Sequence, residues 1–381
     1  MSTTLYLYSG AGNTFVVLDG RSGFPTDSVD IVGLCAKYST DGLMILREGS
    51  FYDHVLSAPS GSACDRNSPS EAAEDHNLPS RPAGERNSPS NPAGERQYDF
   101  AMEFFNPDAS GGMMCGNGGR CIVAFADYLG LRPADGKVYR FVAGDGEHTG
   151  EILAVQPCGP SGSSLCGKPS HDAPSGSSLC GKPSHDAHAA DGVVKTIRIK
   201  MIDVREFHPA LDGWFVDTGT RHFVKFVADV ENLDIEAEGK RYRWAPEFSP
   251  IGANANFVKF STPDAPGTCL SQSPDHARLV VRTFEKGVEG ETLACGTGIT
   301  ASAIAAWLSG VVPTSSPETE STCARKSAES EGKISYEIRA REDDLRVDFR
   351  PVFAPNSPHH TVLRFEDVYL TGPAKLYCII G

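Results

Sequence analysis

The chain has 381 residues and a formal net charge of −14, with 35 Lys and Arg against 49 Asp and Glu, so it has room for two domains and lacks the basic face that nucleic-acid binding needs. No Lys/Arg-rich stretch suits an anionic membrane, no apolar run reaches the ~18 residues of a membrane span, and the first residues lack a basic segment followed by a long apolar one. The expectation is a cytoplasmic protein with no nucleic-acid or membrane partner. Eleven cysteines, an odd number without a CxxC pair, resemble neither a secreted disulfide framework nor a zinc site, and no metal is expected.

Strand-like runs dominate from the start. TLYLYS (4–9) and TFVVLD (14–19) precede a helical stretch near 28–38, and LMILRE (43–48) and YDFAMEFFN (98–106) follow. A helix is expected over 116–129, then strands in KVYRFVAG (137–144), GEILAVQ (150–156) and TIRIKMI (196–202). GWFVDTG (213–219), HFVKFVA (222–228), NANFVKFS (254–261) and ARLVVRTFE (277–285) continue the series up to a second helix over 296–308. KISYEIRARE (333–342), LRVDFRP (345–351) and TVLRFEDVYLTG (361–372) close the chain. Many of these runs alternate apolar and polar residues, as half-buried strands do. Cys35 and Cys378, set among apolar residues, read as small core hydrophobes.

Three stretches interrupt the pattern. Residues 57–96 repeat NSPS and PAGER, 160–187 duplicate PSGSSLCGKPSHDA within a low-complexity stretch over 158–192, and 313–332 are similarly polar. Such compositions bury too little apolar surface to offset ordering entropy, so they read as loop insertions. The duplicated Cys166/His171 and Cys180/His185 fit no common metal spacing.

The remaining strands and helices divide into two similar halves. Each half runs through many strands to a Cys-Gly-x-Gly turn and one apolar helix: MMCGNGGRC at 113–121 and LACGTGITAS at 293–302. The expected class is α+β, with two pseudo-symmetric domains, each a mainly antiparallel strand-rich layer around a central helix and the active site in the cleft between them. The first half would hold residues 1–133 with the returning 366–381, and the second 134–365.

The two turns place Cys115 and Cys295 at helix N-termini, where open N–H groups and the dipole lower a thiol's pKa and cradle a carboxylate. One thiolate can take a proton from the carbon beside a carboxylate while an opposing thiol returns one to the other face. Such a pair performs racemisation or epimerisation without a cofactor.

The motifs resemble the diaminopimelate epimerase family, PLP-independent isomerases of bacterial lysine and peptidoglycan synthesis. The resemblance rests on GAGNTFVVLD (10–19), DGLMIL (41–46), FFNPDASGGMMCGNGGRC (104–121), GTRHFV (219–224), GANANFV (252–258), RTFEKGVEGETLACGTG (282–298) and LTGPAKL (370–376). It implies interconversion of LL- and meso-2,6-diaminopimelate, with Cys115 and Cys295 as the acid–base pair. Gly116, Asn117, Gly296 and Thr297 would hold the reacting carboxylate, and His222 and Glu285 would support proton transfer. Asn13, Asn106, Asn254 and the Glu285–Lys286 pair would bind the substrate. The family implies no cofactor, a small amino-acid substrate and a homodimer.

Where the family carries Arg, this chain has Lys286, whose charge lacks the bidentate fork, and Arg221 is a possible replacement cation. Arg120, opening the first helix, reads as a capping or surface residue. A proline or hydroxyproline racemase is the alternative, although its first motif typically has His where this chain has Asn117. A single-cysteine hydrolase would leave the second motif unexplained. An inactive homologous binding protein would have no need to retain both thiols, His222 and Glu285.

Overall fold

The computed structural model describes residues 4–52, 98–111, 114–157, 187–189, 192–261, 277–311, 332–355 and 361–381. The duplicated Cys/His pairs, the 57–96 insertion and nearly all of 158–192 and 313–332 lie outside these residues. Seventeen strands and four α-helices make up the described chain, two halves sharing one continuous hydrogen-bonded network.

The first half contains β1 (Leu5–Gly10), β2 (Asn13–Asp19), α1 (Ile31–Tyr38), β3 (Leu43–Arg47), β4 (Phe100–Phe105), α2 (Gly116–Tyr128), β5 (Val138–Ala143), β6 (Gly146–Pro157), the short β7 (Ala187–Ala189) and β8 (Val193–Lys200). The second contains β9 (Phe207–Ala210), β10 (Gly213–Asp217), β11 (Arg221–Phe226), α3 (Ile235–Arg243), β12 (Asn254–Ser261), β13 (Ala277–Glu285), β14 (Gly290–Thr292), α4 (Gly296–Leu308), β15 (Ile334–Arg339) and β16 (Asp344–Phe353). The last strand, β17 (Val362–Ile380), serves both.

The two halves repeat one pairing pattern. In the first, β1–β2 is antiparallel, β2–β3 parallel, β3–β4 antiparallel, β4–β5 parallel, and β5–β6 and β6–β8 antiparallel. In the second, β10–β11, β11–β12, β12–β13, β13–β15, β15–β16 and β16–β17 follow the same order of directions. Each parallel pair is joined through a helix: α1 and α2 in one half, α3 and α4 in the other. A parallel crossover needs such a connection, which explains two parallel pairs per half in otherwise antiparallel layers.

β17 pairs with β16 up to Thr371 and with β8 from Gly372, so one strand passes from the second layer into the first. Its later residues also pair with β1, closing the first layer into a ring around α2. The boundary expected after residue 133 therefore moves past Lys200: β5, β6 and β8 belong to the ring around α2. The duplicated insertion between β6 and β8 concealed their pairing.

The core explains the central placement of the helices. Every α2 residue from Gly116 to Ala126 is buried, as is nearly all of α4, whose Ala301, Ala303, Ala305 and Ala306 allow close approach of the surrounding strands. An apolar stripe alone would suit a surface helix; burial on all sides fits the all-round apolar content. Cys35 and Cys378 pack in the cluster beneath α1, as their sequence surroundings suggest. Among the described residues no helix is long and apolar enough to cross a membrane.

Candidate active site

α2 and α4 meet end to end at the seam between the halves. Cys115 and Cys295 are their N-caps, both with extended backbone (φ −92°, ψ 148° and φ −99°, ψ 108°). The Gly118 amide donates to the Cys115 Sγ at 3.1 Å, the cap bond an oxygen would usually accept. Cys295 makes no such bond, and its sulfur lies 3.4 Å from the Thr297 hydroxyl. The helix starts touch: a Cβ on Gly296 would lie 3.5 Å from the Gly116 Cα and 3.0 Å from the Leu370 Cδ2. A Cβ on Gly116 would come within 2.8 Å of that same leucine atom. Only glycine lets the two N-termini face one space at this distance.

The expected lowering of the thiol pKa values does not occur. Burial raises the Cys115 thiol, the Gly118 amide and the Arg120 charge pull it back, and the Glu285 charge raises it further. Burial and then Glu285 push Cys295 up to about 12. Desolvation moves a fully buried group by up to about 3–5 pKa units, whereas a helix end contributes about 0.3–1 kcal/mol, under one unit. Burial wins outright at the buried Cys295 and still raises the half-buried Cys115, so both thiols are neutral. Burial also holds Glu285 above the usual carboxylate range.

His222, on β11, is wholly buried. Its Nδ1 accepts from the Asn256 Nδ2 at 3.0 Å, and that amide is held by a second donation to the Phe223 carbonyl and by the Thr283 hydroxyl at its oxygen. The imidazole proton therefore sits on Nε2, 3.0 Å from the Thr297 hydroxyl and 2.9 Å from that of Thr220. A continuous path runs Asn256–His222–Thr297–Cys295. The histidine's partner is Asn256, two residues beyond Asn254 on β12.

Burial drives the His222 pKa down to about 3 against an ordinary 6.5. Between these values the unfolded chain binds a proton that the folded one does not, so stability rises with pH across that window and is lost as pH falls from 6.5 toward 3. We expect His222→Gln to flatten the urea-unfolding free energy over this range by about 1.4 kcal/mol per pH unit relative to wild type. An unchanged slope would contradict a neutral buried imidazole.

The other expected residues separate into groups. Asn117 donates its Nδ2 to the Asn13 Oδ1 at 2.5 Å and to the Ala294 carbonyl at 2.9 Å, joining both cysteine segments. Asn254 donates to the Arg221 carbonyl at 3.0 Å and accepts from the Lys286 backbone amide at 2.7 Å, tying the start of β11 to the loop after β13. Asn106 directs its amide to Ser110 within its own turn. Lys286 is exposed on the loop after β13. The Arg221 guanidinium donates to the Phe248 carbonyl at 3.1 Å and lies 5.3 Å from the Phe215 ring centre. Arg120 is neither capping nor on the surface; it is 0% exposed. No cluster of His, Cys, Asp and Glu among the described residues could hold a metal ion.

The diaminopimelate epimerase family profile matches residues 214–339, which span His222, Glu285 and Cys295. The diaminopimelate epimerase of Chlorobaculum tepidum is 30% identical over 316 residues, covering 81% of this chain and 84% of that protein. That of Aquifex aeolicus is 34% identical over 220 residues, covering 56% of this chain and 60% of its own. A PhzF-family phenazine biosynthesis protein from Bacillus anthracis superposes with a TM-score of 0.51 over 100% of this chain and 99% of its own, at 10% identity, and so shares the fold. With paired thiols at touching helix ends and a relative aligned over most of both lengths, the chain belongs to the diaminopimelate epimerase family.

Proposed function

We propose that this protein interconverts LL- and meso-2,6-diaminopimelate by two-base proton transfer, with Cys115 and Cys295 on opposite faces of the α-carbon. The observation that carries the reading is the meeting of two cysteine N-caps across Gly116 and Gly296. Backbone N–H groups at the two helix starts, those of Gly116 and Asn117 and of Gly296 and Thr297, are the natural cradle for the reacting carboxylate. They oppose the negative charge that develops there as the α-proton leaves.

One thiol must first lose its proton. Glu285 is the acceptor suited to this: its charge raises both thiols, so moving a thiol proton onto it removes the opposing charge. Its pKa, raised by burial, narrows the gap the proton crosses. The thiolate takes the α-proton, and the opposite thiol delivers one to the other face. His222, neutral and presenting Nε2–H, acts as a donor and supports the Cys295 sulfur through the Thr297 hydroxyl. Asn13, Asn106, Asn254 and Lys286 are assigned to binding the substrate and its distal end, with Asn254 holding the loop that presents Lys286.

The test is direct. Reduced wild-type protein given LL-diaminopimelate should form the meso isomer catalytically and leave proline and hydroxyproline unchanged. Turnover of proline with none of diaminopimelate would replace this reading with the racemase one.

A further inference from the structure

Arg120 sits one turn into α2, and its burial is unexplained by the proton transfer alone. Its side chain is 0% exposed, and although it feels the charge of the Asp343 carboxylate it forms no ion pair among the described residues. Its Nη1 has no hydrogen-bond partner among them either. The other two nitrogens each make one bond: Nη2 donates to the Asn117 Oδ1 at 2.8 Å, and Nε to the Pro373 carbonyl at 3.3 Å. β17 passes directly against the fork, since a Cβ on Gly372 would lie 3.2 Å from the guanidinium carbon. A guanidinium is costly to bury. A cation retained in such a place needs another reason.

The geometry supplies one. An asparagine amide can present either its oxygen or its nitrogen to a given partner, and the network decides which. Arg120 has only donors, so it claims the Asn117 oxygen and turns the Asn117 nitrogen toward Asn13 and the Ala294 carbonyl. Ala294 directly precedes Cys295, and Asn117 follows Cys115 by two residues. The chain of contacts thus runs from Pro373 on the shared strand, through Arg120 and Asn117, to the backbone of the opposite cysteine. We propose that Arg120 is a positioning residue that sets the separation of the two thiols by orienting the Asn117 amide across the seam. Its charge has a secondary effect: it favours the thiolate form of Cys115.

This rests on the epimerase reading above, so the test pairs activity with a readout that needs none. Arg120→Met removes the donors at similar volume, and Arg120→Lys keeps the charge but loses the planar fork. In both variants we expect kcat for LL-diaminopimelate to fall about 30-fold or more while KM stays within about threefold, because misplacement at the reacting centre costs rate more than binding. In an Asn117→Ala background, Arg120→Met should cost less than about threefold further, because the pathway is already broken. Hydrogen exchange should quicken in the 292–298 segment of Arg120→Met, whether or not the wild type proves to be an epimerase. If the wild type is inactive, this exchange result alone decides the Arg120 proposal. Full kcat in Arg120→Lys would mean charge alone suffices and would overturn the proposal. So would additive losses in the double variant, or a loss of thermal stability with unchanged exchange at 292–298.

Discussion

Cys115→Ala and Cys295→Ala should each lower net epimerisation by roughly 10³-fold, the scale of losing one positioned acid or base. Either thiol alone serves one face of the α-carbon, and inversion needs both. The two variants should differ in stability. The Cys115 sulfur accepts the Gly118 amide, so its removal costs about 1 kcal/mol as a lost N-cap, while Cys295 has no cap bond to lose. Serine separates the effects, because a hydroxyl caps a helix well and is a far weaker acid. Cys115→Ser should therefore fold at least as stably as wild type and remain inactive. Retained epimerase activity in either alanine variant, measured as meso isomer formed from the LL form, would remove that thiol from the mechanism.

Gly116→Ala is the second large effect. The added methyl would lie 2.8 Å from the Leu370 Cδ2, on the strand that belongs to both halves, and would point toward the Gly296 Cα. Overpacking of this kind costs about 1–3 kcal/mol in stability. The functional loss should be greater, about 10²-fold in kcat, because a displacement near 1 Å at the reacting centre is enough for that. Gly296→Ala should behave alike, with its methyl 3.0 Å from the same leucine atom. The companion change Leu370→Ala should restore part of the activity of either variant by vacating the space. Failure of that rescue, with both single variants fully folded, would show that the helix ends are not held apart by this contact.

Much of this arrangement was legible in the residues. The helices carrying the cysteines begin where the Cys-Gly turns place them, and α4 ends at Leu308 as its apolar run suggests. The hidden helix was α3, whose many charges mask its apolar face. Its signals were an Asp234 cap that accepts from the Ala237 amide, Glu236 and Glu238 in the first turn, and Lys240, Arg241 and Arg243 in the last. The repeat also implied it, since α1 joins the corresponding parallel strands in the other half.

Other features depended on long-range packing. The motif places a thiol at a helix start, but not the neighbouring half that shuts out water and reverses the expected pKa shift. Asn254 and Asn256 share a strand and a spacing of two, so they point to the same side and periodicity cannot rank them. What separates them is that Asn256 reaches the His222 ring and Asn254 the 286 loop. Arg120 was misread for a similar reason: early helix positions are commonly exposed, and only the return of β17 covers this one.

The most direct test of two-base chemistry is isotopic. Wild-type protein is incubated with LL-diaminopimelate in deuterated water, and both isomers are recovered within the first few per cent of reaction. The opposite thiol carries solvent deuterium, so the meso product should be labelled at the inverted α-carbon from the first turnover while the remaining LL substrate keeps its protium. Equal early labelling of substrate and product would indicate a single base exchanging with solvent, and would contradict the pairing of Cys115 with Cys295.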